Sequence, residues 1–414
     1  MEHHHIEIKQ ERFEFAAKTK RKLFMLLGIG LLLVIIGAIG EESGMLTNRL
    51  WASVLLGAYY TFLLALGGAV FIGIAYLTNA GWNTGFKRVP EAMMQYMPIA
   101  GIILLIIFLT GHGNLYEWTE NDAMEDPILE GKSTFLNTTF FIGSSVIFFL
   151  AYYFFIRRLR AFSLKEDLLE GNDKASAKIF HACRRISAGF IVVFGFTFPV
   201  IAWQWMMSLE PHWFSTIYSL YNFAIMWVCT ATTIAMFCLW LKSKGYLNNM
   251  NENHFHDLGK FMFAFSIFWT YMWISQYLLI WYANIPEESE YFTSRGVGTA
   301  IHGGRFEFQF WLNLIVNFAL PLLIFMSRSA KRNPRTMIVA CAIILLGHWN
   351  DLYLMIMPGT VGQEAPVGLI EMGMTIVFFV PFIYTTLASL AKHNLIPVGH
   401  PYMEEFAHHE VAVA

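Results

Sequence analysis

Ten stretches of apolar residues, each followed by a short polar segment, occupy all but the ends of this 414-residue sequence. A helix rises 1.5 Å per residue, so about 20 residues cross a hydrocarbon core about 30 Å thick. The stretches fall at 23–40, 51–78, 96–110, 135–156, 186–207, 215–241, 259–283, 306–327, 336–357 and 368–391. Barrel strands alternate apolar and polar residues over about ten positions, whereas these runs are apolar all round. The expected fold is therefore all-α, a polytopic membrane protein of about ten transmembrane helices. A segment 1–22 precedes the membrane domain 23–391, and a tail 392–414 follows it. Charged residues make up 14% of the chain, against about 25% in soluble domains. The first stretch reads as a retained anchor, because no A-x-A-like cleavage site follows it before the second. His3-His4-His5 reads as part of an exposed, disordered start.

Charge is distributed unevenly between the two sides. Of the 28 Lys and Arg, all but Arg49, Lys132, Arg295 and Arg305 fall on the side of the N-terminus. The positive-inside rule then places both termini in the cytoplasm of a bacterial cytoplasmic membrane. The opposite loops are acidic, with Glu117, Glu120, Asp122, Glu125, Asp126 and Glu130 in one and Glu287, Glu288 and Glu290 in another. Such loops serve solvation and topology, or a docking face for partners outside. The four cysteines form no CxxC pattern and none lies in an outer loop, so neither a disulfide framework nor a metal cluster is expected.

Ionisable groups inside a bilayer are expensive and call for a partner, water or a function. His348 stands near the middle of the ninth stretch, and Asp351 follows at i,i+3 on the same helical face. Neighbouring stretches add Asn222, Gln276, Asn317, Glu307 and Glu371, nearly all in the outer half. The inner halves of the sixth to ninth stretches carry hydroxyls such as Thr230, Thr232, Thr233 and Tyr271, and no carboxylate before Asp257. The expectation is a proton half-channel running from the outer face to about Asn317. The plainer reading is polar groups that hold helices together.

A haem between helices needs facing axial ligands, and only His348 is deep. His112 and His302 lie near the outer surface, and His181, His254 and His256 lie in inner loops, so no haem or metal is expected on this chain. Nucleotide-binding glycine motifs are missing, and Leu66-Gly67-Gly68-Ala69 reads as close helix packing. Nucleic acid is not an expected partner; lipid is. Trp82, Trp118, Trp203, Trp205, Trp213 and Trp281 fit an interfacial aromatic belt. A quinone, if one binds, is expected near the outer ends of the third to fifth stretches, where His112, Tyr116 and Gln204 offer hydrogen-bond partners beside Trp203 and Trp205.

Three segments go further. They are the AWQWMMSLEPHWFSTIY run from Ala202 to Tyr218, the HDLGK run from His256 to Lys260, and the SQYLLIWYANIPEE run from Ser275 to Glu288. Together with the ten-stretch layout, they resemble the ActF membrane subunits of bacterial alternative complex III, a quinol:cytochrome c oxidoreductase related to polysulfide-reductase-type NrfD proteins. The resemblance covers essentially the whole chain. It implies two four-helix bundles, spans two to five and six to nine, flanked by two further helices. It also implies a respiratory complex that oxidises menaquinol, with an NrfD-like paralogue, a multihaem cytochrome c and an iron–sulfur subunit as partners. The haem c and iron–sulfur clusters would sit on those partners, with a terminal oxidase as a further neighbour. The sequence departs from the pattern at Gln204, where many relatives carry an acid, and a neutral amide cannot take a proton from a quinol. The resemblance therefore points to the related ActC subunit for the working quinol site, and to assembly and a proton path for this chain. A membrane scaffold without chemistry and a proton-coupled secondary transporter are the alternatives.

Overall fold

The computed structural model describes residues 10–120, 122–169, 173–297, 306–362 and 367–409. His3-His4-His5, His302 and Arg305 lie outside them. Among the described residues the chain is an all-α polytopic membrane protein with ten helices long and apolar enough to span a bilayer. The spans are Ala17–Ala38, Ser43–Leu77, Thr84–Thr110, Thr138–Leu168, Lys174–Leu209, Tyr218–Ser243, Glu252–Ala283, Glu307–Phe325, Pro334–Thr360 and Leu369–Lys392. Local chemistry sets several of the ends. The Asn137 side chain accepts the Phe140 amide at 2.8 Å to start the fourth span, and Asn251 forms a capping box with His254 at the seventh. Asn333 caps the ninth ahead of Pro334, whose missing N–H costs nothing at a first helical position.

Spans two to five pack in one ring and spans six to nine in a second, with the first and tenth spans crossing each other alongside. The second span touches the sixth and the ninth, so it forms the seam between the rings. Burial follows this arrangement: 83% of the apolar window of the second span and 89% of the sixth are inside the protein, against 11% of the first. Close approach at the seam depends on Gly67, where an added Cβ would come within 1.8 Å of the Thr230 hydroxyl oxygen. The reading of Gly67 and Gly68 as packing glycines agrees with this contact.

The third span differs from the plain reading of the sequence. The third span begins at Thr84, well before position 96, so Lys87, Arg88 and Glu91 belong to a buried helix and not to a loop. There Glu91 accepts from Arg88 at 2.6 Å, from Ser163 at 2.5 Å and from Arg160. Arg88 reaches Asp167 at 2.6 Å, while Glu166 pairs with Lys87 and accepts from Tyr76 at 3.1 Å. Three cations thus meet three anions in a cluster that joins the third span to the fourth. Its physical logic is neutrality: each buried charge has an opposite neighbour. Pro199 and Pro321 lie within the fifth and eighth spans without ending them. Five-residue π-helical turns at Ala202–Met206 and Ile315–Ala319 lie beside them, and such turns are common at functional sites.

The first described residues are tied to the segment after the tenth span. Arg12 bridges to Asn394, and the Leu395 amide donates to the Glu11 carbonyl at 2.8 Å. The tail then runs beneath both rings. Phe406 packs against Gly85 and His254, and His409 meets Asp257 at 2.8 Å. His400 is buried between Phe180 and Thr84. Burial, then the nearby Lys87 and Arg88 charges, hold this imidazole well below the ordinary histidine value. The docked tail therefore refuses a proton that a free tail accepts. Docking should be strongest above about pH 6.5 and weaken as pH falls from there toward the docked value, by up to about 1.4 kcal/mol per pH unit. Hydrogen exchange of 395–407 between pH 8 and pH 5 should show this loosening, and His400→Phe should flatten it.

Candidate functional site

The ninth span carries the main polar site. Its centre is His348 and, one turn toward the acidic face, Asp351; both are essentially inaccessible to solvent. Asp351 accepts hydrogen bonds from the Trp269 indole at 2.7 Å, from the Asn313 amide at 2.6 Å and from the Tyr221 hydroxyl. The donors come from the sixth, seventh and eighth spans, so all four helices of the second ring converge on one carboxylate. Indole and amide N–H groups can only donate, an arrangement that a carboxylate anion satisfies.

His348 has Nδ1 3.6 Å from an Asp351 oxygen, too long for a hydrogen bond. Among the described residues neither ring nitrogen has a hydrogen-bond partner. A buried imidazole without partners is costly. A ring protonated on both nitrogens would turn Nδ1–H toward the Asp351 charge and leave the pair neutral overall. The geometry can therefore hold one proton beside a fixed anion.

Asn317 extends the site inward. It lies in the π-helical turn of the eighth span and donates to Asn313 at 2.6 Å, while its own amide oxygen has no partner among the described residues. Gly347 makes room for it: an added Cβ would fall 2.1 Å from that oxygen and 2.7 Å from a Val316 methyl. Gly347→Ala should cost about 1–3 kcal/mol through overpacking. Gly195→Ala, with nothing within 4 Å of the new methyl, should cost nothing, and thermal unfolding of the two variants checks the contrast.

The remaining residues of the expected half-channel are placed as follows. Asn222 accepts from Tyr59 at 3.0 Å and donates to the Tyr218 carbonyl at 2.9 Å, which links the two rings. Gln276 is buried on the seventh span and accepts from Ser215 at 3.4 Å. Glu307 opens the eighth span, half-buried. Glu371 is held by Arg49 through bonds of 2.6 and 2.9 Å and caps the amide of Gly368 at 2.7 Å. Among the described residues it bonds to that pair and not to Asp351.

Between Asp351 and the acidic face stand groups that the sequence reading passed over. Arg295, almost fully buried, pairs with Glu210 at 3.0 Å, donates to the Leu354 carbonyl at 3.0 Å and lies 3.4 Å from the Tyr291 ring centre. Glu210 lines a cavity of about 180 Å³ with Glu117, His212 and Glu290. Burial pushes the Glu210 carboxyl up, and Arg295 pulls it back only in part. Leu354 is one turn of helix from Asp351, so Glu210 and Arg295 stand directly above the site. Arg295 had no motif to mark it, and its burial comes from the Tyr291 helix folding over the ring.

The candidate quinone residues also gather, but tightly. The Tyr116 hydroxyl donates to the Trp205 carbonyl at 2.9 Å, and the Trp205 indole to Ser145 at 2.9 Å. Gln204 accepts from Ser144 at 2.8 Å. Trp205 has no exposed surface and packs among Phe62, Phe108 and Phe149. Three of the five residues thus fill a core with one another. His112 is half-buried beside them, with Nδ1 unpartnered, and Trp203 lines a separate groove. No protein-family model matches the chain, and no curated protein matches it.

Proposed function

We propose that this integral membrane protein is a subunit of a quinol-oxidising respiratory complex of the alternative complex III kind, and that it holds and passes a proton between the acidic face and the middle of the bilayer. One observation carries the proton role: a buried carboxylate held by three donors from three helices, beside a buried imidazole whose ring nitrogens have no partner among the described residues, so that the one without a proton is open to take one. Helix packing alone does not require an unpartnered histidine at that depth. The access route runs from the Glu117 and Glu210 cavity past Arg295 to Asp351 and His348, and Asn313 and Asn317 continue it inward. Histidine suits the task because its proton affinity lies near neutrality in general.

Membership of the complex rests on the three sequence segments that resemble ActF. Purification in mild detergent tests it. The chain should come with multihaem cytochrome and iron–sulfur subunits, and should carry no haem once separated from them. A chain that purifies alone and transports a solute would favour the transporter reading. Menaquinone remains an expectation for the assembled complex. The closed packing of Trp205, Tyr116 and Gln204 favours a quinol site on a partner subunit.

A further inference from the structure

Beside the fifth span, next to the Glu210 cavity with which it shares Pro211 and Trp213, a groove of about 320 Å³ opens at the acidic face between 131–136 and the turn after Met207. Its apolar walls include Phe135, Met207 and Phe214, and Trp203 and Trp213 close it on the ring side. The fourth span begins at Thr138 and the fifth ends at Leu209, so the groove lies at the depth where a bilayer changes from headgroup to acyl chain. Aromatic rings and a lysine are the residues that favour that boundary.

The polar part of the groove is unusual for this face. Lys132 is one of four basic residues on a side that is otherwise acidic. Its ammonium donates to the carbonyls of Pro211 at 2.5 Å and His212 at 3.4 Å and lies 5.7 Å from the Phe214 ring centre. Among the described residues no carboxylate pairs with it; Asp126, the acid that acts on it through space, is bonded to His212 at 2.7 Å. Burial pushes the Lys132 ammonium below its usual value, and a neighbouring anion would restore the charged form. The indole nitrogens of Trp203 and Trp213 are buried and have no partner among the described residues, and Trp213 as a whole is only 3% exposed.

An ammonium and two indoles make a set of donors without an acceptor among them. We propose that this groove binds an anionic glycerophospholipid, with the phosphate on Lys132 and the indole N–H groups and an acyl chain along Phe135, Met207 and Phe214. A phosphodiester only accepts hydrogen bonds and is anionic, so it matches the lining in both respects. A quinol fits worse: the Thr134 and Ser208 hydroxyls of the lining can accept from it, but a neutral quinol does not answer the Lys132 charge.

Native mass spectrometry of the delipidated full chain tests the site with three probes: phosphatidylglycerol, phosphatidylcholine of the same acyl chains, and menaquinone-4. Phosphatidylglycerol should be retained in preference to both others. Lys132→Gln, which keeps a donor for the two carbonyls, should lower its retention about tenfold, the scale of one charge-assisted contact. Trp203→Phe, which keeps the ring and removes the N–H, should lower it by a smaller factor. Equal retention of the two phospholipids, wild-type retention by both variants, or displacement of phosphatidylglycerol by menaquinone-4 would each overturn the proposal.

Discussion

Asp351→Asn should stop proton uptake from the acidic side by the reconstituted complex, with transfer through the site slowed about a hundredfold or more, the low end of what a positioned acid–base group supplies. The substitution is nearly isosteric and keeps the bond from Asn313, so helix packing should survive. What changes is charge: an amide cannot hold a protonated His348 beside it, and the atom that now faces the Trp269 indole donates where an oxygen accepted. His348→Phe should have the same effect on uptake while leaving the three donors on Asp351 in place. Proton-to-electron stoichiometry in vesicles reads the result. Unaltered stoichiometry in both variants, with assembly intact, would return these residues to the role of polar packing.

Glu91→Ala should be the most damaging single change to stability. It leaves Arg160 buried without the carboxylate it now meets, and Arg88 with Asp167 alone. Removing one partner of a buried pair costs about 3–5 kcal/mol, a large part of the stability of an ordinary fold. A variant that also replaces Arg160 with Met should recover part of the loss, because it removes one stranded charge together with its partner. Thermal unfolding in detergent measures both. A loss below about 1 kcal/mol for Glu91→Ala would mean that water reaches the cluster, since exposed ion pairs contribute that little.

The ten spans were legible because a bilayer imposes a length and a composition that no soluble fold repeats ten times. Two bundles followed from the family resemblance and agree with the packing. The pair His348 and Asp351 was legible as well, from spacing on a helix of apolar neighbours. The groups around it were not. Tyr221, Trp269 and Asn313 sit on three other helices, and one sequence does not say which faces meet. Trp269 is also easily taken for part of an aromatic belt. Glu91 was lost for a different reason. Its neighbours Lys87 and Arg88 made 79–95 resemble a basic loop, whereas mutual pairing with Glu166, Asp167 and Glu91 lets these charges enter a helix. Glu371 illustrates the reverse error of emphasis: an acid near the outer end of a span suggested a proton path, and Arg49 on the second span holds it.

The central claim is that His348 exchanges a proton with the acidic face and keeps it through Asp351. Nitrogen-15 spectra of the imidazole of His348, in oriented vesicles whose two compartments are set to different pH, test it most directly. The account predicts that the balance of neutral and cationic ring follows the pH on the acidic side alone, and that Asp351→Asn removes the cationic form. A ring that stays neutral whatever the pH on that side, or one that follows the side of the chain termini, would contradict it.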